Sequence, residues 1–435
     1  MTKRGYTDKL KAGIATLGCK VNQYESQVMM ETLLAHGFEQ AAEGEPADVF
    51  IVNSCTVTAT GDKKVRQTVR RARRENPDAV LILTGCMPQA FPDECEAIEE
   101  ADIIIGNSNR NALVDYIEQF MRSHRRIIDI RPHGKSYGEE CSVTGMNERT
   151  RAYIKIEDGC NRFCTYCIIP YARGRVRSRS LEEIRKESQR IGQKYREVVL
   201  VGINLSAYGS DIGTDLLEAV RAAASAEGVE RVRLGSLEPD LTPDRLIEGL
   251  AEIPGFCPQF HLAIQSGCDE TLRRMNRHYD TAQFRHVCEK IRSTFDNPSI
   301  TTDIMVGFAG ETEEEFARSL AFAREIGFAR SHVFAYSRRR GTRADSFPDQ
   351  VDEQTKGRRS EEMIRETSRS ASEFLHSQLG KRVKILAERE VEPGLFEGYT
   401  ENYTPARIQG TDLCGRIIEA TVTDIADGAV MCCAI

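Results

Sequence analysis

"GCNRFCTYCIIPYARG", residues 159–174, decides how this chain is read. It places Cys160, Cys164 and Cys167 in a C-x3-C-x2-C spacing, directly after "RAYIKIEDG" (151–159), which reads as a strand. Zinc usually closes a tetrahedron of Cys and His ligands. A cubane iron–sulfur cluster has one more iron than this loop has thiols, so one iron would stay open to a reacting group. Two other readings stand beside it: three buried thiols, or a zinc site completed by a distant ligand.

Downstream, "REVVLVGIN", "RVRLGSLEP", "QFHLAIQSG", "SITTDIMVGF" and "ARSHVFAYS" read as further strands with helical segments between them. With the first, they predict a partial (β/α)6 barrel over 151–345, whose chemistry belongs at the carboxyl ends of the strands. Upstream, "GIATLG", "ADVFIVNS", "AVLILTG" and "ADIIIGN" alternate with helical stretches, predicting a Rossmann-like parallel-sheet domain over 1–125. Cys19, Cys55 and Cys86 each come just after the carboxyl end of one of these strands, the edge where open α/β sheets bind ligands. Three thiols far apart in sequence are thereby expected to converge.

Residues 126–150 lack periodicity and read as a linker, and 346–378 as a charged connecting helix. Residues 379–435 alternate β-branched and polar positions between glycines, as a small antiparallel OB-like β-barrel does. The fold class is therefore α/β with a terminal all-β module.

At 435 residues the chain is too long for one ordinary core. A net charge of −7 argues against wholesale electrostatic binding of nucleic acid, but leaves room for local basic patches. No apolar run suggests a membrane span, and "MTKRGYTDKLKAG" has no apolar core of a signal peptide. A cytoplasmic location is expected, where the fourteen cysteines stay reduced and serve as metal ligands or buried thiols. Cys95, Cys141, Cys257, Cys268, Cys288, Cys414, Cys432 and Cys433 fall in the second class; on a strand, Cys432 and Cys433 point to opposite faces.

The spacing with its aromatic, Cys160, Cys164, Tyr166 and Cys167, resembles the signature of the radical S-adenosylmethionine (SAM) enzymes. "TLGCKVNQYES", "VNSCTVT" and "LTGCMPQ" further resemble the methylthiotransferase family, and the likeness continues through "LVGINLSAYG", "LGSLEP", "QSGCDETLRRMNR" and "DIMVGFAGETEEEF". This resemblance implies two [4Fe-4S] clusters. One is held by Cys160, Cys164 and Cys167, its open iron binding SAM to generate a hydrogen-abstracting radical; an auxiliary cluster is held by Cys19, Cys55 and Cys86. Both would face one cavity. The terminal barrel resembles an RNA-binding TRAM domain. The first motif is nearest the branch that acts on N6-threonylcarbamoyladenosine in tRNA, with N6-isopentenyladenosine as the alternative substrate. Expected partners are a tRNA anticodon stem-loop, an electron donor such as flavodoxin or ferredoxin, and a sulfur donor, with no membrane.

SAM contacts are expected from Tyr166 and from loops after barrel strands, at Gly202, Asn204, Ser236, Glu238, Gln265 and Ser266. RNA phosphates are assigned to three basic clusters: Lys63, Lys64, Arg66, Arg70, Arg71, Arg73 and Arg74; Arg173, Arg175 and Arg177; and Arg338, Arg339 and Arg340. Prolines common in the family are replaced at Ala263, Ala309, Arg338, Arg340 and Arg343, which frees φ in those loops. A non-catalytic RNA-binding protein with structural metal is the rival from another class.

Overall fold

The computed structural model describes residues 9–137, 143–145 and 150–435; Cys141 lies outside them. The chain divides into two compact units, the first formed by residues up to 143 with 158–161 and 167–177, the second by the remainder.

The first unit is built on an all-parallel sheet of β1 (Lys11–Thr16), β2 (Glu39–Gln40), β3 (Val49–Ser54), β4 (Val80–Gly85), β5 (Ile103–Ile105) and β6 (Ile127–Asp129), in spatial order β2-β1-β3-β4-β5-β6. The period of two along each strand sorts apolar residues to two faces. Val80, Ile82, Ile103 and Ile105 pack with Met29, Met30 and Leu33 of helix α1 (Lys20–Ala35) on one side. Leu81, Leu83 and Ile104 pack with Val65, Val69 and Ala72 of helix α2 (Ala59–Glu75) on the other. Sheet order reverses between β1 and β3, which makes that crevice the topological switch point. Two strands escaped the sequence reading. β2 and β6 are edge pieces too short to show periodicity, and β6 takes the start of the expected linker into the sheet.

In the second unit, Arg151–Lys155, Glu197–Val201 and Arg231–Leu234 form one parallel sheet. Ser236–Leu237, Gln259–Leu262, Ser299–Val306 and Arg330–Ala335 form another. The third strand breaks at Gly235 and continues in the second sheet, so the six predicted βα positions are filled in sequence order. A long helix, Glu353–His376, capped by Asp352 accepting from the Thr355 N–H, leads to a closed five-stranded barrel over 382–434. That barrel is antiparallel except where Pro405–Gln409 runs parallel to Ala429–Ala434. Its Cys432 faces the core and Cys433 the solvent, as the strand period requires.

The terminal barrel is held to the amino ends of the parallel strands. Glu197 there accepts from Arg233 at 2.9 Å, and Arg233 also reaches the Glu401 carbonyl at 3.1 Å. Arg151 pairs with Glu388 at 2.7 Å and lies over the stacked rings of Tyr399 and Tyr403. Parallel strands put their carboxyl ends at the opposite end of the sheet, so these contacts leave that end clear.

Candidate metal centres

Cys19, Cys55 and Cys86 follow three adjacent strands, β1, β3 and β4, at the switch point. Local backbone explains how they come together. Gly18 has φ +112°, and a Cβ there would lie 2.7 Å from the Cys55 Cβ. Gly85 has φ +104° and sits against Ser54, where a Cβ would meet the Ser54 carbonyl oxygen at 2.4 Å. Only glycine permits both turns and both approaches. Asn22 then ties the first two loops, its Nδ2 donating to the carbonyls of Leu17 at 2.8 Å and Ser54 at 2.9 Å. Cys19 keeps an exposed edge, but the protein around it desolvates the thiol and raises its pKa, and Cys86 adds to the rise. Burial, then Cys86 and Cys19, push the Cys55 thiol up to about 11. The three thiols therefore lie within one another's electrostatic reach.

A buried guanidinium completes this group. Arg173, on the helix Ile169–Arg173, donates from Nε to Cys86 Sγ at 3.2 Å. Its Nη2 donates to Asn22 Oδ1 at 2.8 Å and Glu25 Oε2 at 2.9 Å, while Nη1 pairs with Glu25 Oε1. Glu25 is shared with Arg110 at 2.6 Å, and Asp158 lies 3.5 Å from Arg173. Burial works against the charge of Arg173, yet Cys86, Glu25 and Asp158 hold its pKa well above the ordinary arginine value. The carboxylate side of this network borders a cavity of ≈ 300 Å³ lined by Glu25, Asn107, Arg110, His133, Asp158 and Arg177.

Among the described residues, no three His, Cys, Asp or Glu side chains converge on a point that would hold a single metal ion. An iron–sulfur cluster makes a different demand, because each cysteine binds its own iron and the thiolates stay apart. Three thiols on neighbouring loops at one sheet edge, beside a buried cation, fit a cluster that carries negative charge on its sulfurs.

In the second set, Cys160 and Cys167 belong to the first unit and Cys164 to the second. Gly159 has φ +92°, and a Cβ there would lie 1.9 Å from the Arg175 carbonyl oxygen, so the turn into Cys160 requires glycine. The Cys160 N–H donates to the Gly174 carbonyl at 3.0 Å. Cys164 receives Arg277 Nη1 at 3.3 Å; Arg277 Nη2 donates to Glu238 Oε2 at 2.6 Å. Thr165 fixes the loop through its N–H to the Met275 carbonyl at 3.0 Å and its hydroxyl to the Arg274 carbonyl at 2.9 Å. Tyr166 packs edge-on against Phe308, 6.3 Å between ring centroids, so the aromatic of the signature anchors the loop to the barrel.

The residues proposed for SAM fall into two groups. Gln265 adopts φ +65° and keeps a buried Oε1 without a hydrogen-bond partner among the described residues. Gly202 leaves room for Glu157, whose Oε2 accepts from the Asn204 N–H at 2.8 Å, and Ser236 is exposed. Glu238 is engaged by Arg277. Ser266 is a correction: it is fully buried, its hydroxyl accepting from the Cys268 N–H at 3.3 Å, so it shapes a turn instead of facing a ligand.

The basic clusters divide in the same way. Arg66, Arg70 and Arg73 pair with Glu94, Glu100 and Asp102, carboxylates supplied by distant parts of the unit, and Arg71 pairs with Glu75 on its own helix. Lys63, Lys64 and Arg74 stay exposed. Arg173 and Arg177 are buried, Arg177 donating to the carbonyls of Arg173 at 3.0 Å and Arg175 at 2.9 Å; both leave the RNA set. Arg339 is buried and leaves it too, whereas Arg175, Arg338 and Arg340 are exposed. The terminal barrel, residues 379–435, has six Lys and Arg against nine Asp and Glu, so it brings no basic surface excess of its own.

Sequence reasoning missed Asn22, Glu25, Arg173 and Arg277 as partners of the thiols. Their signal was present in "KVNQYES", "IIPYARG" and "LRRMNR", segments beside the cysteines or in the family-like stretches, but nothing in a linear pattern joins Arg173 to Cys86.

Residues 11–106 match the model of an uncharacterized protein family, UPF0004, and residues 154–323 that of the radical SAM superfamily. The chain is similar to threonylcarbamoyladenosine tRNA methylthiotransferase MtaB of Bacillus subtilis, 39% identical over 94% of this chain and 92% of the relative. The corresponding protein of Thermotoga maritima is 36% identical over 97% and 96%. A tRNA-2-methylthio-N(6)-dimethylallyladenosine synthase of Pelotomaculum thermopropionicum is 34% identical over 95% of each. Among solved structures, the radical SAM methyltransferase TsrM of Kitasatospora setae superposes with a TM-score of 0.57 over 90% of this chain and 81% of its own, at 13% identity, a likeness of fold.

Proposed function

Because the chain belongs to the MtaB-like radical SAM methylthiotransferases and is a tRNA-modifying enzyme, we propose that it acts on N6-threonylcarbamoyladenosine, replacing the C2 hydrogen with a methylthio group beside the anticodon. Its cofactors are SAM and iron–sulfur clusters of the [4Fe-4S] type. The reading assigns one cluster to Cys160, Cys164 and Cys167 and an auxiliary one to Cys19, Cys55 and Cys86. Together with SAM, these groups supply the radical that removes the hydrogen and the sulfur and methyl that replace it.

The chain's own residues supply placement. Arg277 holds the Cys164 thiolate and Glu238 together, and Tyr166 fixes the loop between Cys164 and Cys167 against Phe308. Asn22 and the glycines at 18 and 85 bring the auxiliary thiols to the switch point. Exposed Lys63 and Lys64, in the opening turns of the helix that follows Cys55, bind phosphates without reading bases. The adenine of a loop nucleotide is presented unstacked, the usual mode of RNA recognition. An electron donor and a sulfur donor complete the reaction in the cytoplasm; no helix among the described residues is long and apolar enough to cross a membrane.

The observation that carries the substrate is the 39% identity with the Bacillus relative, against 34% for the dimethylallyladenosine synthase, which keeps that adenosine as the second reading. The family assignment removes the non-catalytic alternative. The test uses reconstituted enzyme with matched tRNAs carrying either nucleoside and mass analysis of the digests. A gain of the methylthio group on N6-threonylcarbamoyladenosine alone supports the proposal, and gain on the isopentenylated base alone overturns it.

A further inference from the structure

We propose that Arg173 is a positioning residue for the auxiliary cluster. Its Nε–H donates to the thiolate of Cys86, and its charge, balanced by Glu25, sets how readily that cluster accepts an electron. The inference rests on the reading of Cys86 as a cluster ligand.

A guanidinium has five N–H donors, so a bidentate grip on a carboxylate leaves Nε for another acceptor. Arg173 holds both oxygens of Glu25 with Nη1 and Nη2, shares Nη2 with Asn22, and turns Nε to Cys86 Sγ, 3.2 Å away. It is fully buried, so water does not screen this contact. Asn22, which accepts from Nη2, is the residue that ties the loops of Cys19 and Cys55. One side chain thus touches a thiol and the residue that positions the two other loops.

The surrounding charges fix the sign. Glu25 is shared between Arg173 and Arg110, while Asp158 lies near both Arg173 and Arg177. Of these guanidinium groups, that of Arg173 meets a thiol, so its positive charge is the one set against the cluster ligand. Hydrogen bonds to cluster sulfurs and nearby charge are recognised controls of reduction potential, and partners of the ligands orient them. A donor and a positive charge both favour the reduced cluster, which carries one more electron. Removing Arg173 must lower the potential, and neutralising Glu25 must raise it.

The experiment uses full-length protein with Cys160, Cys164 and Cys167 changed to Ala, so that only the auxiliary cluster is assembled. It compares that background with added Arg173→Gln, Arg173→Lys or Glu25→Gln. Iron content is measured, and a mediated titration with dithionite as the one-electron donor, followed by electron paramagnetic resonance, gives the midpoint potential. Arg173→Gln is expected to disfavour reduction at least tenfold, about 59 mV for one electron. Arg173→Lys recovers part of that shift, and Glu25→Gln moves the potential the opposite way. Unchanged potentials with iron retained overturn the proposal and leave the auxiliary cluster intact. If Arg173→Gln fails to fold, Glu25→Gln decides: a rise supports the proposal and no rise overturns it. A background that binds no iron at all overturns the reading of Cys86 as a ligand, and this inference with it.

Discussion

Arg277 Nη1 lies 3.3 Å from Cys164 Sγ, and the same guanidinium donates to Glu238 at 2.6 Å. Arg173 meets Cys86 and Glu25 in a like manner. Each three-cysteine set thus has one thiol met by a buried arginine that a carboxylate holds in place. Such an arrangement suits sulfurs that carry negative charge in the working enzyme.

For Arg277→Ala, the expected outcome is loss of stability together with loss of cofactor. Breaking a buried pair by removing one partner costs ~3–5 kcal/mol. The second unit should melt earlier by calorimetry, and reconstituted protein should lose iron in step with the Cys160/Cys164/Cys167→Ala variant. Iron equal to wild type would show that Arg277 serves the barrel alone.

Gly159→Ala should fail at the turn. The added methyl meets the Arg175 carbonyl oxygen, and φ +92° is a conformation that L residues rarely adopt. The expected cost is on the order of 1–3 kcal/mol for the backbone alone. Its signature is reduced iron at the first triplet, read by iron analysis of Gly159→Ala in a Cys19/Cys55/Cys86→Ala background.

Charge reversal at Lys63 and Lys64 should weaken tRNA binding at every sequence. Each lost phosphate contact makes the plot of log affinity against log salt shallower by about 0.7–0.9. Filter binding over a salt series measures this. The same reversal at Arg245, exposed on an outer helix, should leave the slope unchanged.

Acid should loosen the terminal barrel. Burial alone would raise the Glu197 pKa, but Arg233, then Arg151 and Arg231, hold it below the ordinary 4.5. A carboxylate with a lowered folded pKa stabilises the fold fully above its unfolded pKa, and that contribution is lost as pH falls through the folded value. Stability should therefore drop below about pH 4.5. In Glu197→Gln, denaturation midpoints should be lower at neutral pH and flatter across the acid range.

Strand positions were legible because each strand is an apolar run, and Cys19, Cys55 and Cys86 each follow one. The edges were not: Glu39–Gln40 and Ile127–Asp129 are strands only because a neighbour offers a ladder. The basic helix reads in sequence as one RNA-facing run, yet Glu94, Glu100 and Asp102 take three of its arginines. Which cation is free depends on carboxylates that sequence order does not bring near. Arg173 was assigned to RNA for the same reason, since its partners lie 148 and 87 residues away, at Glu25 and Cys86.

Iron and sulfide content after anaerobic reconstitution tests the two-cluster claim most directly. Wild type is expected to hold about eight irons. Changing Cys160, Cys164 and Cys167 to Ala, or Cys19, Cys55 and Cys86 to Ala, should each leave about four. Four irons in wild type and none after the first change would contradict the account, because the switch-point thiols would then hold no cluster.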